Sequence, residues 1–157
     1  MQAAVNKGTP TMRKIALAAA LLLPMMPATA DATSWYRVGG NKQTVSYVDL
    51  DSLRPIGGKI IALTQSIYAA PLDGNIYASA IRSEYDCAGK YFRTLEYSYY
   101  GQGGKFISTE PSQTINEQKV PAKDSINEAL MDFVCYRKGG TAVTDPFADA
   151  LTQFPIL

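Results

Sequence analysis

The 157-residue chain carries fourteen carboxylates and fifteen basic side chains but no histidine. Without histidine there is no Ser-His-Asp or Cys-His nucleophile system, and most transition-metal sites lose their commonest ligand. Neither standard spacing of a glycine-rich phosphate loop occurs. Two carboxylate pairs have a spacing that chemistry could use. Glu84 and Glu96 could face each other across a hairpin as an acid and a base, the arrangement of carboxylate hydrolases. Arg82 and Arg93 stand beside them, and surface ion pairing reads better. Asp49 and Asp51 form a D-x-D that could hold a hard cation, but a lone D-x-D is a weak signal and a solvated strand end is the better reading. No catalytic residue, metal ligand or cofactor is assigned on this basis. A carboxylate hydrolase is kept as the lesser alternative to a binding protein.

Cys87 and Cys135 are the two cysteines of the chain. In an oxidising compartment an even pair most simply makes one disulfide, and two free reactive or metal-binding thiols are the alternative. Ten tyrosines are the remaining chemical oddity, with Tyr97, Tyr99 and Tyr100 crowded at one strand end. Two readings stand side by side: cross-strand aromatic packing within a sheet, and an open recognition surface.

The N-terminus speaks for the oxidising compartment. Arg13-Lys14 is a positive start, Ile15–Leu23 an apolar run ended by Pro24, and Ala28-Thr29-Ala30 an A-x-A pattern before Asp31. The run is too short for a bilayer core of roughly 30 Å. It reads as a secretory signal peptide, residues 1–30, cleaved after Ala30. Met12 directly precedes Arg13 and competes with Met1 as the start. No cysteine near the cleavage point offers a lipid attachment site. The expected mature protein is exported, periplasmic or at the cell surface, with no transmembrane segment. Loss of Lys7, Arg13 and Lys14 leaves twelve basic against fourteen acidic side chains, a net charge of −2. That balance disfavours nucleic acid, which needs a concentrated basic face.

What must position these residues is a sheet. Residues 76–100 alternate with period two and read as a long hairpin turning at Asp86-Cys87-Ala88-Gly89-Lys90, with Gly89 supplying positive φ. Shorter strands are expected at 34–38, 44–49, 59–69 and 105–109, joined by Gly- and Pro-rich turns, with 50–58 and 110–123 as loops. The fold class is α+β: about six antiparallel strands in a meander with one C-terminal helix on a face. Ser125 and Glu128 form a capping box at the start of that helix. Ile126, Ala129, Leu130, Phe133 and Val134 give it an apolar stripe, and Gly139-Gly140 stops it. Cys135 points almost opposite the stripe's centre, so either the last turn unwinds or the Cys87 loop reaches round the helix. Residues 31–138 form the domain. Residues 139–157 form a tail in which Phe147, Leu151 and Phe154 could line one side of a short helix.

Three segments together resemble the surface-adhesin protein E family of Gram-negative bacteria: Tyr47–Arg54, Asp86–Arg93, and Pro121–Ser125 leading to Phe133-Val134-Cys135, with Trp35 near the mature start. The resemblance implies a six-stranded antiparallel sheet with its C-terminal helix tied to it by a disulfide. It also implies a non-enzymatic surface protein binding host or extracellular-matrix proteins, with dimerisation. A periplasmic protein of structural or envelope-associated role is the alternative. If Leu95 and Tyr97 point to the helix, strict alternation presents Phe92 and Tyr100 on the opposite, helix-free face. That pair is the candidate interface for self-association.

Overall fold

The computed structural model describes residues 34–157, so the expected signal peptide lies outside the described residues. The elements are β1 (Trp35–Gly40), β2 (Thr44–Asp49), β3 (Arg54–Ile56), β4 (Lys59–Leu72), β5 (Ile76–Asp86), β6 (Tyr91–Tyr100), β7 (Phe106–Pro111), α1 (Ile126–Tyr136), β8 (Thr141–Val143) and α2 (Pro146–Gln153). All strands belong to one open antiparallel sheet in the order β7-β6-β5-β4-β2-β1-β8, with β3 paired to β4 beside that path. The architecture is the expected α+β one, a sheet with a helix packed on it and a Cys87–Cys135 disulfide. Among the described residues the strand count is eight rather than six. Arg54–Ile56 folds back onto Lys59–Ile61 across Gly57 and Gly58, both at positive φ. Thr141–Val143 adds an edge strand beside β1.

Local chemistry sets the turns. Asn41 closes the β1–β2 hairpin by accepting from the N–H groups of Gln43 (2.8 Å) and Thr44 (2.9 Å). In the β5–β6 turn, Asp86 Oδ1 accepts from Gly89 N–H at 2.6 Å. The left-handed residue there is Lys90 (φ 55°), not Gly89. Gly89 is required for space instead, because a Cβ would meet the Tyr91 ring at 2.7 Å. At α1, Ser125 Oγ accepts from Glu128 N–H (3.2 Å), while Glu128 reaches back one residue further than a capping box does, to Asp124 N–H (2.6 Å). Arg137, left-handed at φ 56°, ends the helix ahead of the two glycines.

Both faces of the sheet are covered in part. On one, Leu130, Met131, Phe133 and Val134 of α1 pack on Val48, Ala62, Tyr85 and Phe92. On the other, Phe147, Ala150 and Phe154 in and beside α2 pack on Val45, Tyr47, Ile67 and Ala78, with Trp35, Tyr100 and Val143 around them. The tail therefore forms a second layer, with Leu151 turned out to solvent at 74% exposure and Ala150 in its place.

A β-bulge decides which side chains share a face. Arg82 pairs with Glu96, but the next residue, Ser83, pairs with Thr94, so Leu95 is an extra residue in β6. Alternation is shifted by one across it. Phe92 and Thr94 therefore share a face with Tyr97 and Tyr99, while Tyr100 faces the other way. The expectation that Phe92 and Tyr100 lie together on an open face is thereby corrected. Phe92 is buried under α1, stacked on Tyr85. Tyr100 is half-buried beside the α2 cluster and Phe106.

The disulfide joins the tip of the β5–β6 hairpin to the last turn of α1, with the Cα atoms 5.6 Å apart. The helix stays regular to Tyr136, so it does not unwind to make the bond. Buried Met131 widens the core-facing stripe toward Cys135, which lies only about 40° from it around the helix. Tyr136 Oη adds a hydrogen bond to the Cys87 carbonyl at 3.1 Å.

Candidate functional site

The carboxylates that suggested catalysis are held in ion pairs. Across the hairpin Glu84 faces Arg93 and Arg82 faces Glu96, so the two glutamates do not face each other. Glu84 Oε1 accepts from Lys59 Nζ (2.9 Å), Arg93 Nε (3.0 Å) and Arg93 Nη2 (2.8 Å). Lys59, then Arg93, hold its carboxyl below the usual glutamate range. Such a group is a poor proton donor near neutrality. Arg82 and Glu96 form a looser, exposed pair at 3.4 Å.

Asp49 and Asp51 serve the backbone. Asp49 Oδ1 accepts from Asp51 N–H (3.0 Å) to start a single 3-10 turn at Leu50–Ser52, and Asp51 accepts from Ser34 N–H (3.3 Å). Burial raises the Asp49 carboxyl above its usual range. Among the described residues no three His, Cys, Asp or Glu side chains come together in a way that could hold a metal ion.

The tyrosines make the open surface. Adjacent strands carry Ser46, Ser66, Ser79, Tyr99 and Ser108 in one row across the α1 face of the sheet. Ser46 and Ser66 hydroxyls lie 3.0 Å apart, and Tyr68, from the neighbouring row, reaches this one with its Oη 2.7 Å from Ser79 Oγ. The next row carries Val48, Thr64, Ile81, Tyr97 and Glu110. Tyr97 and Tyr99 rings are parallel within 3°, with centroids 6.0 Å apart. Desolvation, then the neighbouring Glu110, push the Tyr99 phenol above its ordinary range, so it stays neutral at physiological pH.

Beside this pair is a groove of about 370 Å³, bounded by Tyr97, Tyr99, Glu110, Gln113, Thr114 and Lys119. That volume is within the range of ligand clefts. A smaller cavity of about 150 Å³ beside α1 is lined by Thr64, Ser83, Thr94 and Asn127, with Tyr97 and Lys119 lining both. Lys119 is held there by a two-way backbone bridge to Phe92 (2.9 and 2.8 Å), and its Nζ donates to Thr114 Oγ1 at 3.0 Å.

Of the residues singled out from the sequence, Cys87 and Cys135 come together, and Phe92 and Tyr100 separate onto opposite faces. Tyr97 and Tyr99 belong to the open surface. Tyr68, Glu110 and Lys119 were missed. A register across the strands would have been needed to bring them in, since nothing in their local sequence marks them.

A sequence model of the surface-adhesin protein E family matches residues 35–136. No curated protein and no solved structure matches the chain. No described helix is long and apolar enough to cross a membrane.

Proposed function

The chain belongs to the surface-adhesin protein E family, and from that premise we propose that it is an exported, non-enzymatic binding protein. Its partner is an external protein, with host extracellular-matrix proteins as the first class to test. The surface used is the Tyr68, Tyr97 and Tyr99 floor with the groove between Glu110 and Lys119. One observation carries this reading: a parallel tyrosine pair borders a cleft that neither helix fills. Tyrosine offers a large, rigid contact area with a polar tip, the combination favoured at protein interfaces. The signal-peptide pattern ending at Ala30 supports export, and the ion-paired state of Glu84 supports a role other than acid–base catalysis.

The test is binding of the mature protein to immobilised matrix proteins and to envelope extract, with wild type compared with Tyr97→Ser/Tyr99→Ser. Both positions are half-buried, so the double variant should keep its circular dichroism and lose at least about tenfold in affinity, as hot-spot aromatics do. Unchanged binding by a folded double variant would move the site elsewhere. No binding to any protein in either pool would defeat the reading.

A further inference from the structure

The residues matched to the family end at Tyr136, yet the face of Val45, Tyr47 and Ile67 is closed by residues beyond that point. The cover is small. It consists of a three-residue edge strand and an eight-residue helix, tethered by Arg137–Gly140, all four exposed and both glycines at positive φ. Helices of this length do not hold in water without tertiary contact. Apart from apolar packing, α2 itself is fastened among the described residues by one side chain. Asp149 accepts from Arg37 Nη1 at 2.7 and 2.8 Å and from the hydroxyl of fully buried Tyr47 at 2.9 Å.

We infer that β8 and α2 form a tethered cover over a docking face, and that this face takes in trans an amphipathic helix of a protein partner with the same chemistry. The recognised pattern is that of Phe147, Asp149, Ala150 and Phe154: two aromatics and a small residue against the sheet, and a carboxylate aimed at Arg37 and Tyr47. Cover and partner helix compete for one surface, so the chain controls its own access to it. Uncovering would expose Val45 and Tyr47, both now inaccessible, beside an unpaired Arg37. Such a face needs an occupant that is apolar and anionic together. The inference uses none of the tyrosine-groove residues, so either reading can fail without the other.

The probe is a fluorescein-labelled synthetic peptide copying residues 141–157, titrated with the full-length mature chain. An apparent affinity is weakened by the fraction of molecules whose site is closed. Asp149→Asn in the chain loosens its own cover while the peptide still brings its carboxylate. This variant should therefore bind the peptide at least about tenfold more tightly than wild type. The same substitution placed in the peptide should weaken binding to both. Hydrogen exchange should show residues 141–154 opening in Asp149→Asn while β4 and β5 stay protected. Should that variant fail to fold, Phe147→Ser gives the same comparison. Equal peptide affinity for wild-type and loosened chains would overturn the inference. So would residues 141–154 that stay as protected as β4 and β5. A shift of the loosened chain to dimers without any gain in peptide affinity would overturn it too, since the occupant would then be a second copy.

Discussion

Glu84 is where the electrostatics of single residues can be read most directly. In the folded chain its carboxyl lies below the usual glutamate value because Lys59 and Arg93 converge on one oxygen. In the unfolded chain it returns to about 4.5. The folded state thus holds the proton less readily, and the stabilisation is present above the unfolded value. It is lost as pH falls through the lower, folded value. Glu84→Gln should cost about 1 kcal/mol or less at pH 7, in line with partly exposed ion pairs. Wild type and variant should converge as urea unfolding is repeated at pH values falling progressively below the unfolded value. The pairing was legible in the sequence because Arg82 and Arg93 stand next to the glutamates. The third partner, Lys59, was not, since it comes from a strand 25 residues away. Gly89 shows the converse. Its identity signalled a turn, but the reason is the Tyr91 ring against its α-carbon, which only packing reveals.

At the scale of elements, the extra residue in β6 governs most of the surface. The places of the six expected strands and the helix start followed from alternation, Gly and Pro positions and Ser125, whereas β3, β8 and the extension of β4 to Leu72 did not. The face of each side chain did not follow, because Leu95 looks like any other strand residue and a bulge leaves no mark in residue type. Deleting Leu95 would restore strict alternation and force one half of β6 to present its wrong side. Phe92 would leave the α1 core, or Tyr100 would leave the α2 core. The expected result is a loss of at least about 3 kcal/mol in urea unfolding, the scale of removing a buried aromatic. A deletion within 1 kcal/mol of wild type would show that the two halves of β6 can slip freely. The α2 element was visible as Phe147, Leu151 and Phe154, but its contact side runs through Ala150, because a small residue lets the helix approach the sheet and leaves Leu151 outside.

Over the whole molecule, the sheet is sealed at different ends on its two faces, by α1 on one and α2 on the other. The first layer was foreseeable from the apolar stripe after Ser125. The second was not, since a short helix of moderate hydrophobicity acquires its meaning only from the surface it lands on. The disulfide ties the first layer down across a separation of 48 residues. Replacing both cysteines by alanine should lower unfolding stability by up to about 4 kcal/mol, the chain-entropy value for a loop of that length. A loss under 1 kcal/mol, measured by urea unfolding, would mean that packing of α1 alone suffices. The same bond has a consequence for a protein that meets proteases. Between Cys87 and Cys135 lie β6, β7, the long connection after Pro111 and nearly all of α1. One cut anywhere in that span leaves two pieces that are still a single covalent body, with the severed ends pinned by the sheet and by the sulfur bridge. The chain behaves there as a closed ring, and a nick in the connection changes its topology without releasing any part of it.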